Sequence, residues 1–350
     1  MMSAPPGPVR HDAPPPSSSP TTRTRRGGPG RFLAAGLLTV VAAVGVLPDL
    51  LFQMDRFSPF AQLIAFRPLL LGAVAVLAAL AVLVTLLRPR AWPFAAGLVI
   101  VTLLGSALVL PRAIADPLPT SGRPLTVLTF NTYLGEADVD AVAQLIRSTR
   151  PDLISLTEAG SGYRDKIAPL VEPLGYQMRT STREGRADVA GVTAIVSDAL
   201  GDVEMGIGDT AFPYVEVTGG TLGGLRFVAF HSVAPTAGAV PQWRADLALL
   251  SQWCEGTNPA IVAGDLNSTL DHSTLRTATS ECGDAAAQRG AGLASTWPTS
   301  APRWLGPQID HVLSTDGIVA ETFSIHDIPG SDHRAVVTTL RVPEQVFAAP

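Results

Sequence analysis

The chain has 350 residues, 47% of them hydrophobic, with a mean hydropathy of +0.29 and a net charge of −5. That is too apolar for an ordinary water-soluble chain, so membrane segments are the first expectation. Nine of the 25 basic residues but only three of the 30 acidic ones precede Arg112, which leaves the remainder near −11. Such an acidic remainder is a poor match for an unspecific polyanion binder, although a local basic groove stays open.

Residues 1–30 are rich in Pro, Ser and Arg, with nothing to bury, and read as a disordered tail. Three apolar stretches follow: Phe32 to Pro48, extendable through Leu50 to Phe52; Pro68 to Leu87; and Trp92 to Leu110. Each approaches the ~20 residues that cross a hydrocarbon core, so residues 31–111 are expected to form a three-helix anchor. A signal peptide is the competing reading of the first stretch. It is disfavoured by the long polar tail before it and the lack of a clear small-residue cleavage site after it. Arginines crowd the tail (Arg10, Arg23, Arg25, Arg26, Arg31) and the "RPR" turn at Arg88 and Arg90. Keeping these in the cytoplasm puts everything after Pro111 outside. The two long stretches carry no interior charge, which leaves no transporter-like path through them.

Residues 112–123 read as a linker, 124–342 as one large domain and 343–350 as a C-terminal tail. Within the domain, "PLTVLTFNT" and "DLISLTE" read as buried strands flanking a helix from Glu136 to Thr149, where Val139, Val142, Ala143 and Ile146 recur at helical spacing. "YRDKIAPLVEPL" reads as a short amphipathic helix and "PQWRADLALLSQWCE" as a longer one. Strands are expected at "YQMRTST", "GVTAIVSD", "YVEVTG", "LRFVAFHS", "PAIVAGDLN", "QIDHVLST", "IVAETFSIHD" and "SDHRAVVTTLRV". The pattern suits a layered α/β sandwich rather than a doubly wound parallel sheet. Cys254 and Cys282 both fall in the exported part, where pairing is favoured over two buried free thiols.

Several of these strands carry a polar group at an end: Asn131, Glu158, His231, Asp265 with Asn267, Asp310, and Asp332 with His333. One such residue is an ordinary turn former or helix cap. Six strand ends make a site if they share one edge. Asn, Asp and Glu oxygens suit a hard cation such as Mg²⁺ or Mn²⁺, and two cysteines with no paired-His helix make zinc a poor fit. A hard cation, two histidines and an Asp–Asn pair together suit phosphoryl chemistry.

The ordered motifs "TFNTY", "SLTE", "FHS", "GDLN", "QIDH" and "SDHRAV" resemble those of the endonuclease/exonuclease/phosphatase superfamily over Pro124 to Val342. The resemblance implies a four-layer α/β (α+β) sandwich: two mostly antiparallel sheets flanked by helices, here preceded by three transmembrane helices. It further implies a metal held by Glu158 with Asn131 beside it and Asp332 near, an attacking water handled by Asp265, and an amide donated to phosphate by Asn267. His333 would be oriented by Asp310, with His231 binding a phosphate oxygen from the other side. Thr157 and Gln308 stand where the family commonly has Gln and Arg, which weakens any transfer of substrate preference. The anchor and "GLASTWP" resemble a bacterial membrane-anchored branch that includes teicoplanin-resistance membrane proteins.

A structural reading is preferred for His311, which should face away from Asp310, and for Asp271 and His272, expected to open a helix after the catalytic loop. His326 is expected at the surface, and Trp243 and Trp253 in helix packing. Trp297, Arg303 and Trp304 are either a substrate-touching rim or loop anchors. The favoured function is a monomeric, membrane-anchored, outward-facing, metal-dependent phosphoesterase acting on a lipid or lipid-linked phosphate. The alternatives are an extracellular nuclease and a catalytically inactive binding module on the same fold.

Overall fold

The structure, a computed structural model, describes residues 1–4, 7, 29–182 and 188–348. The expected disorder of the N-terminal tail therefore lies almost wholly outside the described residues. The chain enters an apolar helix, α1 (Gly30–Val46), makes a short turn of helix, α2 (Phe60–Leu63), and continues into α3 (Arg67–Leu87) and α4 (Trp92–Val109). Ala42 and Val46 of α1 pack with Leu71, Val74 and Ala78 of α3 and Leu98, Val101 and Val109 of α4. A Cβ on Gly97 would meet Thr39 Oγ1 at 1.8 Å, so α4 approaches α1 as only a glycine permits. Outward faces such as Leu37, Val41, Leu80, Leu83 and Leu103 are exposed.

Two continuous helical stretches, Phe60–Leu87 and Pro89–Ala113, are long and apolar enough to cross a membrane. The first apolar helix is shorter than expected: it has 17 residues and does not extend through Leu50 to Phe52. The cause is local. Asp49 turns inward to pair with Arg67, and Phe52 and Gln53 take left-handed backbone conformations that break the helix.

The rest of the chain builds two six-stranded sheets. One is ordered β11-β12-β1-β2-β4-β3, with β1 (Arg123–Asn131), β2 (Leu153–Thr157), β3 (Tyr176–Ser181), β4 (Val192–Ser197), β11 (Val319–Asp327) and β12 (Arg334–Val342). The other is ordered β5-β6-β7-β8-β10-β9, with β5 (Val203–Ile207), β6 (Val215–Gly219), β7 (Arg226–His231), β8 (Ala260–Asp265), β9 (Cys282–Asp284) and β10 (Asp310–Thr315). Each sheet is mixed: β1 runs parallel to β2 and β7 parallel to β8, and the other pairings are antiparallel. Sequence reading misses β5 and β9. Half-exposed residues along β5 blur its alternation, and β9 has only three residues.

Side-chain alternation sorts the layers. Leu125 and Val127 of β1 meet Val217, Phe227, Ile261 and Val312 between the sheets. Leu128 and Phe130, one residue out of phase, pack outward on α5 (Val139–Thr149) and α6 (Ser161–Val171). The other outer face buries Trp243 of α7 (Val240–Ala248), Trp253 of α8 (Ser251–Cys254) and Leu275 of α9 (Ser273–Ala278). The result is a helix–sheet–sheet–helix sandwich. Two short helices, α10 (Ala285–Gln288) and α11 (Glu344–Ala348), complete it. Residues 112–123 are tied down rather than loose: Ala115 bridges Arg289 and Asp116 N–H donates to Gln288 O.

The apolar helices are fixed to the sandwich by a buried ion cluster. Arg67, 1% exposed, donates to Asp49 and, at 3.0 Å, to Asp271. Arg112 reaches Asp271 at 2.6 Å and Arg276 reaches Asp49 at 2.6 Å. Asp55 accepts from Ser273 N–H at 2.6 Å, and Ala61 joins the core around Trp243. Asp271 thus does more than open α9, which is the whole of its expected role.

Two predictions follow from this packing. Cys254 and Cys282 are bonded across a separation of 28 residues. Unreduced protein should yield one linked peptide pair by mass spectrometry, and reduction should cost about 3–4 kcal/mol of stability in the chain-entropy account. Two alkylatable thiols in fresh protein would contradict the bond. Arg67→Ala leaves two buried carboxylates short of their counter-charge, at a cost of about 3–5 kcal/mol. The melting temperature of the full chain in detergent should fall by something of the order of 10 °C. An unchanged melt would mean that the cluster does not hold the two parts together.

Candidate active site

Asn131 is the last residue of β1, Glu158 follows β2, His231 ends β7 and Asp265 ends β8. Asp310 is the first residue of β10, and His333 precedes β12. β10 and β12 run antiparallel to their neighbours, so two strand starts join four strand ends at one edge. Register does the placing: His231 and Asp310 both lie opposite Asp265, on either side of β8. Every site residue expected from the sequence comes to this edge.

The glycine of "IVAGDLN" is required by close backbone approach. A Cβ on Gly264 would stand 1.7 Å from Phe230 O. One residue on, Asp265 accepts from Asn267 N–H at 2.8 Å, and Asn267 adopts φ 45°. Asp265 and Asn267 stand two residues apart, yet they do not share one face of an extended strand. The strand stops at Asp265, and an Asx-type turn with left-handed backbone brings Asn267 round. Its amide then donates to Ser232 O at 3.0 Å and lies 3.5 Å from His231 Nε2. Glu158 is also left-handed, at φ 53°. Backbone strain at two polar site residues marks a place where geometry is held at a cost.

Two hydrogen bonds cross between the sheets. Asn131 Nδ2 donates to Glu158 Oε1 at 3.1 Å and to Asp265 Oδ2 at 2.9 Å, while its Oδ1 accepts from Tyr133 N–H at 2.9 Å. His333 Nδ1 meets Asp310 Oδ2 at 2.9 Å, with its Nε2 3.8 Å from Asp265 Oδ2. Glu158 Oε2 accepts from Leu134 N–H at 2.8 Å. Asp332 Oδ2 accepts from Trp297 Nε1 at 2.9 Å, and its buried Oδ1 has no hydrogen-bond partner but lies 3.9 Å from His333 Nε2. Trp297 thus acts as a loop anchor that lines the cleft, whereas Trp304 is exposed.

Burial alone lowers the pKa of His333, but Asp310 and Asp265 more than offset it and hold the ring protonated, pushed up to about 10. Burial raises Asp265 to about 7, against the opposing pull of His333. His231 is driven down to about 3 by burial and then by the His333 charge, so it is a neutral imidazole. Phe212 stacks on it with ring centroids 4.5 Å apart. Sequence reading misses Phe212, Tyr133 and Leu134, because nothing in "DTAFPY" or "TYLG" signals that these side chains turn into the cleft.

On the other face of β10, His311 bonds Asp284 at 2.8 Å and Ser268 O at 2.9 Å, the structural role expected of it. It braces the loop just past Asn267.

Asp265, Asp310 and His333 are the tightest cluster of potential metal-ligating atoms among the described residues. A protonated His333 is no ligand, however, because both ring nitrogens then carry protons and Nδ1 is bonded to Asp310. Glu158, Asn131 and Asp332 offer oxygens held by N–H donors or left unpaired, with no Arg or Lys among the described residues lining the cleft. An oxygen set in excess of cations fits a hard divalent ion.

Solved structures share the architecture. A humanized D. rerio TDP2 superposes with a TM-score of 0.51 at 15% identity, over 63% of this chain and 99% of that one. D. rerio TDP2 complexed with single-strand DNA product gives 0.50 at 14%, over 63% and 99%. The AP endonuclease LMAP from Leishmania major gives 0.50 at 15%, over 67% and 95%. At these identities the likeness is one of fold. No curated protein matches the chain. The model of the Endonuclease/Exonuclease/phosphatase family matches residues 128–333, more than half of the chain and the whole span that carries the site, and the chain belongs to that family.

Proposed function

We propose that this protein is a membrane-anchored, outward-facing, divalent-metal-dependent phosphoesterase whose substrate is a lipid or lipid-linked phosphate. Members of the family are phosphoesterases and nucleases that depend on divalent metals. The observation that carries the reading is the meeting at one edge of all eight polar side chains, bonded across both sheets.

Glu158, with Asn131 and Asp332, would hold Mg²⁺ or Mn²⁺, which when bound neutralises charge on the phosphate. The remaining work falls to the chain's own side chains. Asp265, raised to about 7, is suited to accept a proton from water near neutral pH. Asn267 offers its amide to a phosphate oxygen. His333, kept cationic by Asp310, presents Nε2 to the phosphate and stabilises the charge that builds up there. His231, neutral and fixed under Phe212, approaches from the other side of Asp265.

Membrane anchoring rests on helix composition and exposure. In the two long helices only 17% and 39% of the most apolar window is buried, too little for the core helices of a soluble protein. We read α1 as crossing with them, because its outer face is equally apolar and its inner face packs on α4. The TDP2 structure named above contains DNA, but here the described lining of the cleft carries no Arg or Lys and the domain is acidic overall. That favours an apolar phosphate ester over a nucleic acid.

Four outcomes are expected. A reporter active only outside the cytoplasm should work when fused after Pro350 and be silent when placed between Arg88 and Arg90; the opposite pattern would reverse the topology. Glu158→Ala should weaken metal binding and turnover together. Asp265→Asn should leave metal binding largely intact while cutting turnover about 10²–10⁴-fold. Asp310→Asn should act less directly, by freeing His333 to turn. Wild-type turnover in Asp265→Asn, or in the presence of chelator, would overturn the mechanism, whereas no turnover in the unmodified protein with metal would put a binding module ahead.

A further inference from the structure

The cleft at the catalytic edge has a volume of about 540 Å³. That is in the range of small-molecule pockets and exceeds what a phosphate group alone needs. Its polar lining includes Glu158, His231, Asp265, Asn267, Asp332 and His333 of the candidate site. Much of the rest is apolar, and part of it comes from outside the sandwich: Ala61, Gln62, Ala65 and Phe66, the segment between α1 and α3, line the same cleft.

That segment is fixed in place. Gln62 Nε2 donates to Pro235 O, and His272 Nε2 donates to Ala61 O at 2.8 Å. Phe66 directly precedes Arg67, which is locked into the buried ion cluster and is the first residue of α3. Ala65 and Phe66 therefore place the apolar lining of the cleft at the start of a 21-residue apolar helix, whose residues Leu80 and Leu83 are exposed.

From this we infer that Ala65 and Phe66 are specificity-determining residues. They form a wall along which the hydrocarbon chain of an alkyl phosphate ester lies while its phosphate occupies the catalytic edge. The inference rests on the phosphoesterase reading and adds to it the part of the substrate that is recognised and the residues that recognise it. The apolar helices are then part of the substrate site and not only a tether.

The test uses the full chain in lipid nanodiscs, with octyl phosphate and methyl phosphate as ligands and calorimetry as the readout. Octyl phosphate should bind at least about tenfold more tightly, since two buried methylenes suffice at roughly fourfold each. Phe66→Ala and Ala65→Asp should each bring the ratio close to that of empty nanodiscs and leave methyl phosphate binding unchanged, whereas Phe66→Leu should keep most of the preference. An alkyl phosphate with a photoreactive diazirine at the chain end should label residues 60–66 of the unmodified protein, which requires no variant to fold. Equal affinity for the two ligands, a preference that survives both Phe66→Ala and Ala65→Asp, or labelling confined to other segments would each overturn the wall. The two readings fail separately. A chain preference without ester hydrolysis removes the phosphoesterase and leaves the wall, whereas hydrolysis of short and long esters alike removes the wall and leaves the phosphoesterase.

Discussion

Asp265 and Asp310 face each other across neighbouring strands, each 1% exposed. Two carboxylates in that position lose hydration and repel one another, which neither sheet can relieve alone. The relief comes from the opposite sheet, where His333 sits between them, 2.9 Å from one and 3.8 Å from the other. Asn131, from that same sheet, adds a neutral donor to Asp265. The charge balance of the site is thus the bond that joins the two sheets at this edge. The protonated His333 and the raised Asp265 are two aspects of one arrangement. The same charge on His333 helps keep His231 neutral, so the two histidines cannot exchange roles.

A second buried charge cluster follows similar logic a few residues further along the chain. Asp265 and Asn267 belong to the catalytic edge, while Asp271, His272 and Ser273 dock the segment before α3. One loop serves both tasks, with His311 bracing Ser268 in its middle. Removing Arg67 would leave charge buried at one end of a loop whose other end positions the proposed water-activating carboxylate. The apolar helices and the candidate site are thus held by neighbouring residues of one loop.

The sandwich was legible because its signals are local. The short buried run "LTVLTFN" and a clean helical face from Val139 to Ile146 are local patterns, and β1 and α5 formed close to their expected bounds. The polar strand ends were legible as a set because each closes or opens an apolar run. The sequence could not show which ends were starts, since that depends on strand direction, nor that Asn267 would arrive by a left-handed turn. The charges at Asp49, Asp55 and Arg67 could be read only as loop residues. Their partners lie more than 200 residues away at Asp271, Ser273 and Arg276, and no periodicity connects them. The shortening of α1 was not legible either, because Phe52 and Gln53 give no sign of the left-handed backbone that they adopt beside the Asp49–Arg67 pair.

The family-matched span, 128–333, contains every polar group of the proposed chemistry. The segment from Ala61 to Phe66 lies outside it and still lines the cleft. On the proposed reading, the groups that act on a phosphate and the surface that chooses which phosphate is presented come from separate parts of the chain. A shared sandwich says little about substrate for a physical reason: oxygen ligands, a cationic histidine and an amide recognise phosphate whatever it is attached to. Discrimination has to come from contacts with the remainder of the substrate, and only the walls of the cleft can supply them. In this chain part of that wall is continuous with an apolar helix. On the proposed reading, that stretch of the cleft meets the requirements of a membrane as well as those of catalysis.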